Sequence, residues 1–475
     1  MSLLGIDLGT SGVRSVAFDP DGRELASAAR RVEILRPGPQ RAELAPEAVW
    51  TAVCETVSEV TRAVPDVGAV SFAVLGEAVV PVDDAQNPVD NAPLSMDKRG
   101  LEAAGRFVAA EEFQQLTGQP LHPMFAVFKI MASDWRAVKY LSMGDFIAAR
   151  LGAEPVTDLT LAARTGLYDV ERREWAATLL DAAGVAESQL PRVAAPGTQI
   201  GRVSAKGAAA TGLREGTPIA TGIHDQAAAF LGAGGRAGQV SDFALGSSDC
   251  LTVATPARPQ GLLGTGIATY PISDQLWLTL CGTAAGGWAI EWLASILRMK
   301  GARLTEVLNH PAEDPPALLV LPYLAGSGTL DNEPLARGVV AGLTLQTTPA
   351  ELVRAFLEAP GYELAKIASA LAQKGIPLGR INAVGAGVSD TTLGIRASAA
   401  GMPLTEVHGH VTARGAALLA GLATGVHAGF ESLPPPQAGC THYPESQEWY
   451  ARQRVAYVDL YNTTLHLNKA LARKE

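Results

Sequence analysis

Apolar residues open the chain in short runs separated by turn chemistry. Leu3 to Leu8 has strand length, Val13 to Phe18 is a second such run, and Asp19-Pro20-Asp21-Gly22 leads by a β-turn into Glu24 to Val32, so the pattern predicts an antiparallel meander. Pro46 suits a first helical turn, and Trp50, Val53, Val57, Val60 and Val64 recur at steps of three and four, which predicts a helix with one apolar face. Val67 to Leu75 then reads as a buried strand. Alternating strand and helix patterns continue to the strand Pro218 to Gly222, which runs into His224-Asp225-Gln226 and an Ala-rich helix ending near Leu231. Sheet interleaved with helix predicts an α/β fold.

The second half repeats this grammar. Strands surround Gly246, a helix is expected from Ala284 to Leu297, another from Pro349 to Leu371, and a strand from Ile381 to Val384 delivers a Gly-rich turn. The segments Leu8 to Ala17 and Leu245 to Ala254 align at an offset of 237 in a chain of 475 residues, with five of ten positions identical and two exchanging Thr and Ser. A repeat at half-length implies two related domains facing each other across a cleft. Boundaries fall at Gly232-Ala233-Gly234-Gly235, a run suited to a hinge, and at Ser432-Leu433-Pro434-Pro435-Pro436. The expected division is 1–234, 235–430 and a C-terminal tail, 431–475. Within that tail, Glu445 to Lys474 reads as a polar helix docking through Trp449, Val455, Val458 and Leu460.

Composition narrows the classes. Hydrophobic residues make up 47% and charged residues 18%, with 49 glycines and 30 prolines spread along the chain, which excludes disordered, collagenous and coiled-coil proteins. The net charge of −10 offers no general attraction to nucleic acid or an anionic membrane, so an anionic ligand must be held by local geometry. Cys54, Cys250, Cys281 and Cys440 lie far apart without CxxC spacing, as expected of reduced thiols. No signal peptide is read at the start, which points to the cytoplasm, and the apolar stretch Gly415 to Phe430 is too short and too rich in Gly and Ala for a membrane span. A homodimer is compatible with all of this; the sequence is silent on oligomeric state.

The chemistry concentrates at the turns. Thr10, Ser11 and the backbone N–H groups of Gly9 to Val13 can converge on phosphate oxygens, as can those of Gly246-Ser247-Ser248, although each alone also reads as a plain hairpin. Gly385-Ala386-Gly387 supplies a third such turn. A GxxxxGK[ST] loop does not occur. Asp7, ending an apolar strand, either caps the turn or faces a Mg²⁺ ion held through water. Asp225 either caps its helix or takes the proton from an attacking hydroxyl in phosphoryl transfer. His224 reads as an orienting neighbour.

In combination these motifs resemble the FGGY carbohydrate kinases of the actin-like ATPase superfamily, and most closely their xylulokinase branch. Ile6 to Arg14 resembles the first phosphate loop, Thr221 to Gln226 the catalytic loop whose aspartate is the base, and Gly246-Ser247 the second phosphate loop. Leu321 to Gly326 with Ala336-Arg337-Gly338 is similar to the PYLxGER…ARG segment. Gly385-Ala386-Gly387 with Gly415-Ala416-Ala417 resembles the adenosine loop and the helix after it.

The resemblance implies two facing actin-like (ribonuclease H-like) ATPase domains, the first binding sugar and the second nucleotide, and an ATP-dependent kinase of a small sugar. Its implied site has Asp225 as base, Asp7 with Asp225 at Mg²⁺, Thr10, Ser11, Arg14, Gly246 and Ser247 on phosphates, Gly287 and Gly385-Ala386-Gly387 on the nucleoside, and Glu77, Asp97 and Asp225 on the sugar. Three departures fall mainly on the sugar side. Glu77 stands where the xylulokinase GQMHG stretch has its histidine, Ser95-Met96-Asp97-Lys98-Arg99 lacks the tryptophan of WNDxR, and GER becomes Gly326-Ser327-Gly328. Glycerol kinases place an Arg-Glu pair at the Gly76-Glu77 position. A ketopentose such as xylulose or ribulose is the first expectation, with glycerol, erythritol or gluconate as alternatives and an ATP-driven conformational switch as the alternative of another class. Glu77 either meets adjacent sugar hydroxyls or forms an ion pair with Arg99 or Lys98.

Overall fold

The computed structural model describes residues 1–283 and 285–472, so the expected helix start at Ala284 and the last residues of the expected tail helix lie outside the described residues. Two seven-stranded sheets organise the chain. In the first, strand Ser2–Gly9 runs antiparallel to Gly12–Phe18 on one side and parallel to Val67–Val74 on the other, and Glu24–Arg31 extends the meander. In the second, Val240–Ala244 runs antiparallel to Cys250–Thr255 and parallel to Arg380–Val384, and Leu276–Gly282 extends it in turn. The half-length repeat is therefore structural: each copy supplies the strand, turn and strand at the centre of its own sheet. The runs read as strands are apolar because both faces of these central strands are covered, as in Leu3, Leu4, Ile6 and Leu8, all fully buried.

Helix Pro46–Ala63 forms as the periodicity predicts, with Pro46 in its first turn and Val49, Val53, Val57 and Val60 buried against the first sheet. The helix expected from Ala284 begins at Gly287 and runs to Ile296. Helix Pro349–Gln373 opens on a capping box, in which the Thr348 hydroxyl accepts from Glu351 N–H and the Glu351 side chain accepts from Thr348 N–H.

Helix Val411–Ala423 crosses strand Ser2–Gly9 and packs against helix Asp225–Gly232. The crossing is closer than any side chain permits. A Cβ on Gly5 would stand 1.8 Å from the Ala413 carbonyl oxygen, one on Gly232 1.8 Å from that of Val411, and one on Gly415 1.9 Å from that of Ala228. Gly232 to Gly235, expected as a slack hinge, is buried throughout; its glycines serve close approach. Arg414 ties the crossing together by donating to the carbonyls of Gly22, Gly232, Pro434 and Pro435 at 2.8–3.1 Å. Gly415→Val should therefore cost about 3 kcal/mol or more, because the clash is with backbone that has no room to move. Differential scanning fluorimetry should show a Tm lower by at least about 5 °C, and an unchanged Tm would contradict the packing.

The tail forms helix Gln447–Ala472, which docks through Trp449 and Leu460 as expected but with tyrosines in place of the two valines. Tyr450, Tyr457 and Tyr461 are buried, while Val455 and Val458 are exposed. The tyrosines win because their hydroxyls have buried acceptors: Tyr450 donates to Glu358 at 2.8 Å and Tyr457 to Glu363 at 2.6 Å, beside Tyr323 on the same Glu363 oxygen at 2.5 Å.

Candidate active site

Three neighbouring parallel strands of the first sheet end together. In register, Ala73 lies between Asp7 of strand Ser2–Gly9 and Ile223 of the short strand Ile223–His224. Their carboxyl ends therefore deliver Asp7, the Gly76-Glu77 turn and Asp225 to one edge, the edge where α/β sheets place ligands. The strands themselves are sealed, so side chains reach solvent only here: the Asp7 side chain is 19% exposed and that of Asp225 33%.

Burial dominates the environment of these acids. Burial, with the Glu77 and Asp7 carboxylates adding to it, pushes Asp225 up to about 7. Burial also raises Asp7 to about 6, opposed by Arg14, whose Nη1 lies 3.9 Å from Asp7 Oδ2, and by His410. Asp225 is the first residue of helix Asp225–Gly232, with its carboxylate beside the helix N-terminus; the cap position is His224, and it carries no side-chain cap bond. His224 beside it is buried and pushed down to about 3 by desolvation and the nearby Arg164, so its imidazole is neutral.

Glu77 is paired, and its partner is Arg164 rather than Arg99 or Lys98. Burial alone would raise the Glu77 carboxyl; Arg164, His224 and Lys129 outweigh it and hold the group below the usual range. Arg164 donates through Nη1 to Gln119 Oε1 at 2.8 Å and lies over the Phe125 ring at 5.0 Å. Only one Glu77 oxygen takes part in this pairing. Asp97 is spent differently. Its two oxygens accept from Ala42 N–H, Arg99 N–H and the Arg99 guanidinium at 2.8–3.0 Å, and Arg99 in turn pairs with Glu43. Asp97 thus serves here as a brace that positions Arg99.

The two small-residue turns have matching construction. Thr10 and Ser11 form the tip of a hairpin closed by Gly9 and Gly12, with Arg14 half-exposed on the strand that leaves it. Gly246 and Ser247 form the exposed tip of the second, and the other proposed nucleotide residues gather around it: Gly287 N–H donates to the Gly246 carbonyl at 2.9 Å, and Gly387 N–H to the Leu245 carbonyl at 3.3 Å. Gly385 has φ +105° and a Cβ there would stand 2.5 Å from the Leu245 oxygen, so this turn requires glycine; Ala386 at its tip is exposed. Beneath, Asp249 pairs with Arg396 Nη1 at 2.5 Å, both buried, which fixes the turn from below.

Arg164, Gln119 and Lys129 escaped the sequence reading. Lys129 had a visible signal, a cation inside the apolar run Phe125 to Met131; it is fully buried, donates to the Met124 carbonyl, and burial lowers it to about 8. Arg164 is the one charged residue of helix Leu159–Thr165, and its pairing with a residue 87 positions away is a product of the fold. A cavity of about 1030 Å³ lies away from these groups, between helices Pro349–Gln373 and Gln447–Ala472, with a mostly apolar lining that includes Tyr362, Ile376, Met402 and Val455.

The profile of the FGGY carbohydrate kinase N-terminal domain matches residues 2–232, and that of the C-terminal domain residues 243–424. The chain belongs to the FGGY family of carbohydrate kinases. A glycerol kinase of Methylibium petroleiphilum is 27% identical over 96% of this chain and 97% of its own length, and a xylulose kinase of Escherichia coli is 27% identical over 98% and 99%. The solved structure of a xyloylose kinase from Brucella ovis superposes with a TM-score of 0.91 at 25% identity, covering 98% of this chain and all of that one. Membership makes the chain a phosphotransferase with an alcohol acceptor and gives it the actin-like two-domain fold, with ATP as fitting co-substrate. Among the described residues no helix is long and apolar enough to cross a membrane.

Proposed function

We propose that this FGGY kinase transfers the γ-phosphoryl group of ATP to a primary hydroxyl of a small sugar, with a ketopentose such as xylulose or ribulose as first candidate. The observation that carries the reading is the delivery of Asp7, Glu77 and Asp225 to one strand edge, with Asp225 held near neutral pKa. Asp225 accepts the proton of the attacking hydroxyl as the oxygen–phosphorus bond forms, and a base with a pKa near the working pH is suited to that task. Thr10, Ser11, Arg14, Gly246 and Ser247 hold the phosphates, while Gly287 and Gly385-Ala386-Gly387 hold the nucleoside. The division into a sugar domain, 1–234, a nucleotide domain, 235–430, and a tail, 431–475, belongs to the same proposal, as does action in the cytoplasm.

Magnesium fits the donors present. The cleft offers two carboxylates of raised pKa, Asp7 and Asp225, too few for an all-protein cage and suited to an ion that keeps waters and shares the phosphates. Among the described residues, the cluster of three potential ligands, Asp390, Glu406 and His442, lies elsewhere, where strand Leu404–Val407 meets the edge strand Ala438–His442. When bound, Mg²⁺ would neutralise charge developing on the transferred group.

The Glu77–Arg164 pair favours a second reading, a polyol or aldonate such as glycerol, erythritol or gluconate, because it rebuilds in space the Arg-Glu pair that glycerol kinases carry in sequence. Glu77→Gln should lower kcat/KM for the true substrate about 10- to 100-fold while sparing basal ATP hydrolysis, since a charged hydrogen bond to substrate is lost. An unchanged kcat/KM would reduce Glu77 to a structural partner of Arg164. The test of the function itself is a coupled ADP-release assay with Mg-ATP over ketoses, polyols and aldonates. One of them should raise ADP release well above the substrate-free rate; a flat panel would count against the kinase reading.

A further inference from the structure

A second cluster of potential ligands sits at the edge of the second sheet. The edge strand Ala438–His442 runs antiparallel to Leu404–Val407, with His442 opposite Leu404 and Thr441 opposite Thr405. Side chains alternate along a strand, so His442 shares a face with Leu404 and, diagonally, with Glu406. Helix Asp390–Ala400 packs over Leu404 on that face, and its first residue, Asp390, meets His442 there. One ligand atom each from Asp390, Glu406 and His442 lies within 4.8 Å of the others, with His442 Nε2 3.5 Å from Asp390 Oδ1. A tetrahedral Zn²⁺ ion, bonded at about 2.0–2.1 Å, sets its donors about 3.4 Å apart. The His442–Asp390 pair already stands near that spacing.

Two features separate this cluster from a solvated acidic patch. The first is unmet bonding capacity. Glu406 is only 8% exposed, yet its carboxylate accepts no hydrogen bond among the described residues. Its ion-pair contact is His408 Nε2, 3.2 Å from Oε2, which is charged only when that ring is protonated. His442 Nε2 is buried and likewise makes no hydrogen bond. Buried polar atoms are ordinarily paired, so a partner from outside the chain would satisfy both. The second feature is room. A Cβ on Gly439 would stand 2.7 Å from Glu406 Oε2 and 2.8 Å from His408 Nε2, so a glycine at this point of the edge strand keeps space open beside the carboxylate.

We propose that Asp390, Glu406 and His442 form a Zn²⁺ site, with water in the fourth position, that pins the edge strand to the helix following the Gly385-Ala386-Gly387 turn. One imidazole with two carboxylates suits a first-row divalent ion better than Mg²⁺, which takes oxygen donors and keeps most of its waters. Glu406 and His442 supply the buried side of the site, and the exposed Asp390 gives the ion its way in. The site belongs to the second sheet, whereas Asp7 and Asp225 lie at the edge of the first, and it does not depend on the assignment of the kinase substrate or base.

Calorimetric titration of the full chain, stripped with chelator, with Zn²⁺ alone should show an ion bound at this site that millimolar Mg²⁺ does not displace, and excess Zn²⁺ should raise Tm by at least about 3 °C. Glu406→Gln keeps the shape of the side chain and removes a charged ligand. It should weaken the binding at least about 10-fold, the smallest loss expected when even a group behind a ligand is changed, and abolish the rise in Tm. Gly439→Ala retains all three ligands and should also weaken binding, because the added methyl crowds Glu406 Oε2; it carries the test if Glu406→Gln folds poorly. Equal Zn²⁺ affinity in wild type, Glu406→Gln and Gly439→Ala would overturn the site and send the ion elsewhere. Absence of Zn²⁺ binding to wild type would overturn it outright, and ready displacement by Mg²⁺ would reduce the cluster to an acidic surface.

Discussion

Asp225→Asn is expected to lower kcat by about 10²–10⁴-fold or more, with the affinity for ATP nearly unchanged, since general-base catalysis acts on the transition state and the amide cannot take the proton. The same assignment fixes a pH dependence. Because burial and the neighbouring Glu77 and Asp7 carboxylates push Asp225 up to about 7, the base is half protonated near neutrality. Wild-type kcat/KM should therefore rise through about pH 7 and level off above it. The residual rate of the asparagine variant should lose that limb, and near-normal turnover would remove Asp225 from the chemistry.

The second large effect is expected at Asp7. Asp7→Ala should reduce turnover by about 10²–10³-fold, the equivalent of losing several kcal/mol of metal-assisted charge stabilisation, and should raise the Mg²⁺ concentration needed for half-maximal rate. Burial raises the Asp7 carboxyl to about 6, and a protonated carboxyl is a poor ligand, so the wild-type Mg²⁺ requirement should climb as pH falls below about 6. In Asp7→Ala the part of that climb centred near pH 6 should be lost, leaving the part set by Asp225. A variant with the wild-type metal response would return Asp7 to capping the turn that Arg14 flanks.

The parts of the fold legible in the sequence are those set by local rules. The apolar runs Leu3 to Leu8 and Val67 to Leu75 formed strands because they are covered on both faces, and the helix after Pro46 follows its three-and-four spacing. The repeat at an offset of 237 was readable because turn chemistry is local, and it placed the strand, turn and strand at the centre of both sheets. The tail's docking face was legible at Trp449 and Leu460 but not at the tyrosines, because hydropathy ranks valine above tyrosine, whereas buried Glu358 and Glu363 give the tyrosine hydroxyls partners. Gly232 to Gly235 looked like slack because composition does not distinguish a glycine that bends from one that admits a neighbouring carbonyl. Charge pairing was the least legible level: Glu77 meets Arg164, and Arg99 meets Glu43, only after segments far apart in sequence have packed.

The central claim, that phosphate moves from ATP to a carbon-bound hydroxyl at this strand edge, is tested most directly by ³¹P NMR of the products formed with Mg-ATP and the sugar that most raises ADP release, with wild type and Asp225→Asn in parallel. The wild-type reaction should give ADP and a phosphomonoester coupled to the two protons of a terminal CH₂, absent or severely reduced with the variant. Inorganic phosphate as the sole product beside ADP would contradict the account and leave an ATPase switch in place of a kinase.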